Sequence, residues 1–272
     1  MFDTFVMVDW SGGNRKPAKP SADAIWVSVV RQGQQFAPLY FRSRQAIEPW
    51  LSTLIDEELT AGRRIMIGFD FAFGYPAGFA ETLTGSADPL ALWDWYEARV
   101  QDGETANNRF DLAGQINSTF DGIGPFWGNG LKRDIPHLPR KGRDRAHMPF
   151  EEKRAVEKRA KGAFSVWQLS GVGAVGSQVI MGLPVLARLR CQFAGRVVVW
   201  PFESLDSPVA LVEIWPSLFN AAITPRLGDH PIKDAVQVHV VAEQIAAMPP
   251  AALANTLDVP ATREGWIFGV TP

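Results

Sequence analysis

A chain of 272 residues, 46% hydrophobic and 21% charged, has the make-up of an ordinary soluble globular protein with enough length to bury a substantial core. A net charge of −2 gives no chain-wide signal for nucleic acid or an acidic surface, no apolar run reaches the ~18 residues of a membrane span, and the start lacks the order of a signal peptide. The single cysteine, Cys191, excludes an internal disulfide; with those absences it makes the cytoplasm the expected compartment and a membrane partner unexpected.

In chain order, residues 5–10 (FVMVDW), 24–32 and 36–43 read as three strands, β-branched and aromatic, bounded by Gly, Pro and polar clusters. A helix is expected from about Arg44, with Ile47, Trp50, Leu51, Leu54, Ile55 and Leu59 on one face, Ser43 as cap and Gly62 as stop. Residues 64–70 then form a fourth strand. This is not the alternation of a dinucleotide-binding fold; it suits an antiparallel meander followed by a crossover helix that returns the fourth strand parallel to the first. Residues 88–100 read as an aromatic helix, 101–150 as loop and short helix, and 151–161 as a charged helix. GAFSVWQLSGVGAVGSQVIMGLPVLARLR divides into strand-like, glycine-rich and helical thirds, with Cys191 placed to pack just beyond it. Two strands follow (RVVVWPFE and VALVEIWPS), then a last clear helix opened by Pro231. The expected architecture is one α/β domain over 1–272: a mixed sheet with helices on both faces and a helical or loop insertion over 77–165.

Charge is unevenly spread. Residues 131–161 hold eleven Lys or Arg against five Asp or Glu, an excess of about six that leaves the remainder near −8. Lys132, Arg133, Arg140, Lys141, Arg143 and Arg145 are the candidates for phosphate contacts, against the plainer reading of a solvated insertion. The aromatic residues Trp93, Trp95, Tyr96, Phe126 and Trp127 have the chemistry to stack bases, although such density more often marks a core.

Four acids stand out. Asp9 closes FVMVD ahead of Ser11, Gly12 and Gly13; Asp70 closes IMIGFD; Glu213 interrupts VALVEIWP; and Asp234 lies in the first turn of the last helix, in the stripe of Val238, Val241 and Ile245. Alone, each has a structural explanation: a turn former, a helix-dipole partner, half of an ion pair. Together they would meet at strand carboxyl ends, where open α/β sheets gather ligands. Converging carboxylates repel unless hard divalent cations hold them, so Mg²⁺ or Mn²⁺ is the expected cofactor.

At these residues the chain resembles the family of RNase H-like nucleases in the RuvC/RNase H superfold. VDWSGG is similar to its first-strand aspartate motif, IGFDFAFGYP to its fourth-strand block, VEIWPS to its glutamate strand, and KDAVQVHVVAEQIA and REGWIFGV to its last helix and tail. The resemblance covers the two ends of the chain. It implies an RNase H-like core and a divalent-metal-dependent phosphodiester hydrolase, with Asp9, Asp70, Glu213 and Asp234 as catalytic metal ligands, Ser11 and Gly12 near the substrate, and nucleic acid or a nucleotide as that substrate. The family's Arg-rich segment after the fourth strand is not evident, although Arg99 and Arg109 lie in that region.

Other readings compete. Gly171, Gly173 and Gly176 match G-x-G-x-x-G, but no acidic residue follows before Phe202, so a dinucleotide site is not expected; a phosphate loop or tight packing remains. DWSGG is also similar to the first phosphate loop of actin-like ATPases and sugar kinases, which makes a nucleotide-binding phosphotransferase the runner-up. A role in molybdopterin guanine dinucleotide synthesis and a non-catalytic nucleic-acid-binding scaffold complete the alternatives. His137, His147, His230 and His239 lack metal-type spacing, and Ser170 and Ser177 lie outside any G-x-S-x-G context. The sequence leaves the oligomeric state open.

Overall fold

The computed structural model describes residues 2–14, 17–145 and 148–272. His147 therefore lies outside the described residues. The chain divides into two compact units: residues 1–71, 189–261 and 266–272 form the first, and residues 72–188 with 262–265 the second.

The first unit is built on a mixed sheet. Its strands are β1 (Thr4–Asp9), β2 (Ile25–Arg31), β3 (Gln34–Gln35), β4 (Leu39–Phe41), β5 (Ile65–Phe69), β6 (Val197–Val199) and β7 (Val209–Glu213). Their order is β3-β2-β1-β5-β7-β6, with β4 also paired to β2. β2 runs antiparallel to β1, while β1, β5, β7 and β6 are mutually parallel. The central strands are continuous apolar runs because both faces are covered. Of the expected third strand over 36–43 only Leu39–Phe41 forms; a two-residue piece, Gln34–Gln35, precedes that range, and Pro38 between the two cannot donate a ladder bond.

Side-chain alternation shows what covers each face. Thr4 donates to Glu58 of α1 (Arg44–Thr60) at 2.5 Å, so α1 lies on the face from which Thr4, Val6 and Val8 project. Ser28 is the register partner of Met7 and meets His239 of α8 (Lys233–Ala246) at 3.5 Å, so α8 lies on the Met7 and Asp9 face. Met7 leaves little room there: a Cβ on its partner Gly68 would come within 2.6 Å of the Met7 sulfur. A helix not anticipated from sequence, Pro250–Leu257, follows α8, and its Leu257 carbonyl accepts the Trp200 indole N–H.

The second unit is organised by aromatic packing. Tyr75, Phe79, Phe126, Phe150 and Trp167 form one cluster with ring centroids 4.6–6.0 Å apart. Trp93, Tyr96 and Phe126 are fully buried, so these three belong to the core. Trp95 and Trp127 instead lie beneath Arg99 and Arg145. Helices cover Phe79–Thr84, Leu90–Glu97, Arg109–Asn117 and Ala155–Arg159; the last is shorter than the 151–161 expected. Residues 163–170 form no strand, only an isolated bridge between Gln168 and Trp127. Glu264 ties this unit together, accepting the Ala77 and Ala155 amides at 2.6 Å while its carbonyl accepts Arg154 Nη1 at 3.0 Å. The helix Gly176–Gln192 runs from the second unit into the first; its Cys191 is exposed rather than packed. Among the described residues no helix is long and apolar enough to cross a membrane.

Candidate functional site

β1 and β5 run parallel and in register, Val8 opposite Phe69, and the Asp70 amide donates to the Val8 carbonyl at 2.9 Å. That bond carries the ladder one residue past β5, so Asp9 and Asp70 emerge side by side at the carboxyl ends of neighbouring strands. Asp234 joins them from the first turn of α8, on the face that α8 covers. Glu213 ends β7 opposite Phe69, one register step short of Asp70. By alternation it projects from the face opposite to Asp9 and Asp70. It is nevertheless near enough to act on Asp70 and is almost wholly buried.

The electrostatics are those of crowded acids. Burial, then Asp70, Asp234 and Asp23, hold the Asp9 carboxyl well above the usual carboxylate range. Burial, then Glu213 and Asp234, push Asp70 up to about 7. Asp234 is also raised, chiefly by burial, even though it accepts a hydrogen bond from the Asp23 amide at 2.9 Å. Desolvation and like charge act in the same direction here, and among the described residues no cation counters them at Asp9 or Asp70.

Asp23 was not singled out from sequence, since it follows the turn-rich stretch SGGNRKPAKPS and reads as part of an ordinary turn. It adopts a left-handed backbone (φ 56°), a conformation that Asp tolerates better than most residues. Its amide is thereby directed at Asp234, and its carbonyl accepts the Ser11 hydroxyl at 2.8 Å. The Ser11 oxygen in turn accepts the Gly13 amide at 3.2 Å, and buried Arg44 donates to the Ser11 and Gly13 carbonyls at 2.6 and 2.9 Å. Ser11 thus knits the loop after β1, and Gly12 is buried within it.

The donor set has the chemistry that Mg²⁺ or Mn²⁺ selects: hard carboxylate oxygens from several neighbouring acids. Among the described residues no three His, Cys, Asp or Glu side chains stand in a coordinating arrangement.

The basic candidates all belong to the second unit. Arg133 holds Asp111 at 2.6 Å; Arg140 holds Asp134 and the carbonyls of residues 129 and 131–133; Arg145 holds Glu152 and the Gly142 and Pro125 carbonyls. Lys132, Lys141 and Arg143 are exposed. In the glycine-rich loop, Gly171 and Gly173 have φ of 94° and 78°. A Cβ at Gly173 would come within 2.3 Å of the Phe164 ring, and one at Gly176 within 2.4 Å of the Val166 carbonyl. Close packing accounts for both residues.

No family model matches the chain, and neither the curated proteins nor the solved structures contain a significant match.

Proposed function

We propose that the chain is an RNase H-like, divalent-metal-dependent phosphodiester hydrolase acting at Asp9, Asp70 and Asp234, with nucleic acid or a nucleotide as substrate. One observation carries the reading: three aspartates meet at the carboxyl ends of adjacent parallel strands, with Asp9 and Asp70 raised by burial and by neighbouring acids, and among the described residues no cation offsets either. A fold gains nothing in stability from that arrangement, so its persistence points to a ligand that the carboxylates serve. The order of the acid-bearing elements and the meander followed by a parallel strand also suit the family resemblance.

When bound, Mg²⁺ or Mn²⁺ polarises a phosphoryl oxygen and makes a water nucleophile accessible at neutral pH. Asp9 and Asp70 would hold the cation from the sheet, and Asp234 from α8. Binding would release the protons that crowding retains on Asp9 and Asp70. The Asp23 amide fixes one oxygen of Asp234, and Arg44 keeps the loop after Asp9 in place. Glu213 would act on Asp70 by charge from the other side of the sheet.

The test is hydrolysis of bis(p-nitrophenyl) phosphate with Mn²⁺, wild type beside Asp9→Asn. The expected result is metal-dependent product release that falls at least about 100-fold in the variant. Equal release by both proteins, or none by the wild type across phosphodiester substrates and both cations, would contradict the proposal.

A further inference from the structure

We propose that a cavity beside the acid cluster is a subsite for a planar heteroaromatic base; this extends, and rests on, the hydrolase reading by naming a nucleotide as the substrate class. The cavity holds about 230 Å³ and is lined by Pro38, Asp229, His230, Ala235, Val236 and His239. It is smaller than the ~300 Å³ and upward of drug-sized sites, which suits one ring system rather than an oligonucleotide.

Its position connects it to the acids. Ala235, in its wall, directly follows Asp234 on α8. On the sheet side, Trp26 is the register partner of Asp9, and its ring lies edge-on to His230 with centroids 5.2 Å apart. A ring held in this cavity would leave its attached sugar and phosphate near Asp234 and Asp9.

The lining chemistry selects a ring over an anion. Arg226 also borders the cavity, but its guanidinium is committed to Asp229 at 2.9 Å and to Glu243, so its charge is already balanced. Ala235 and Val236 are buried and apolar. Two imidazole rings and the apolar ring of Pro38 line it, and imidazole is among the rings on which unstacked bases pack. The edges supply polarity. His230 Nδ1 lies 3.1 Å from the Ile232 amide and 3.2 Å from the Ile232 carbonyl, so Nε2 is the ring nitrogen that can meet a ligand, as donor or acceptor according to the tautomer. Asp229 bonds Arg226 through Oδ2, which leaves Oδ1 as an acceptor. An imidazole nitrogen beside a carboxylate acceptor complements the edge of a nucleobase. His239 adds another imidazole, whose pKa burial and then Arg226 lower.

The experiment uses metal-free protein and phosphate-free probes, so failure of the hydrolase reading leaves its outcome readable. Adenosine, guanosine, cytidine and uridine are titrated by two-dimensional NMR to about 10 mM, with ribose as control. The expected result is saturable shifts at His230, Ala235, Val236 and His239 with at least one nucleoside and none with ribose, and affinity about tenfold weaker in His230→Leu. Shifts that map elsewhere, equal shifts with ribose, or no shifts with any nucleoside would overturn the proposal. Mapping on the wild type decides the question even if His230→Leu, which loses its contact with Trp26, does not fold.

Discussion

The two ends of β1 treat carboxylates in opposite ways. Beside Thr4, at its start, the fully buried Glu58 side chain meets Arg31 at 2.7 Å, Arg63 at 2.7 Å and the Thr4 hydroxyl at 2.5 Å. Burial pushes its pKa up, but the Arg63 and Thr4 hydrogen bonds and the Arg31 charge outweigh burial and hold it below its usual value. At the other end Asp9 and Asp70 face further acids, and their pKa values rise. The same sheet therefore has the means to neutralise a buried acid and, among the described residues, uses them at the end away from the candidate site and not at Asp9 or Asp70. A compensated charge reads as architecture; a crowded, uncompensated one reads as a place prepared for a ligand.

Breaking the compensated end should cost most. Glu58→Ala strands two guanidinium groups against the sheet, and the expected loss is about 3–5 kcal/mol in urea unfolding. A loss below about 1 kcal/mol would remove the contrast between the two ends.

The second effect concerns pH, and the two ends have opposite signs. Asp70 has a folded pKa of about 7 against 3.8 as a model group, so the native state binds the extra proton between those values. Its contribution is fully present below about pH 4 and is lost as pH rises through 7. Glu58 is lowered, so its contribution is present above its ordinary value of 4.5 and is lost as pH falls below that. Asp70→Asn should therefore be more stable than wild type at pH 8, by about 2 kcal/mol after discounting for partial exposure, and nearly equal to it at pH 4. Thermal melts at the two pH values check this. A variant less stable than wild type at pH 8 would mean that Asp70 is a structural acid.

The smallest effect belongs to the basic segment. Arg133 and Asp111 form an exposed pair, so Arg133→Ala should cost less than about 1 kcal/mol. A larger loss would give that pair the architectural weight of Glu58.

The acid cluster was legible because strand periodicity identifies a carboxylate that ends an apolar run, as at Asp9 and Asp70. The α/β class, the mixed sheet and the crossover helix follow from the same periodicity over residues 5–70. Asp23 was illegible because its contribution is made by a backbone amide in a left-handed turn, which no side-chain pattern reveals. The second unit resisted for a different reason. Its order comes from aromatic residues far apart in sequence, from Tyr75 to Trp167, and from Glu264 reaching Ala77 and Ala155, none of which has a local period. The alternation that marked Glu213 as an acid in a strand also sets it on the opposite face from Asp9 and Asp70, a relation that only the register reveals.

The central claim is that the uncompensated end of the sheet exists to hold a cation. Calorimetric titration of Mn²⁺ at pH 7.5 into wild type and Asp9→Asn/Asp70→Asn tests it most directly, repeated in two buffers of different ionisation enthalpy. The expected result is saturable binding with proton release in the wild type, and loss of both in the double variant. Identical isotherms for the two proteins, or no binding to the wild type, would contradict it.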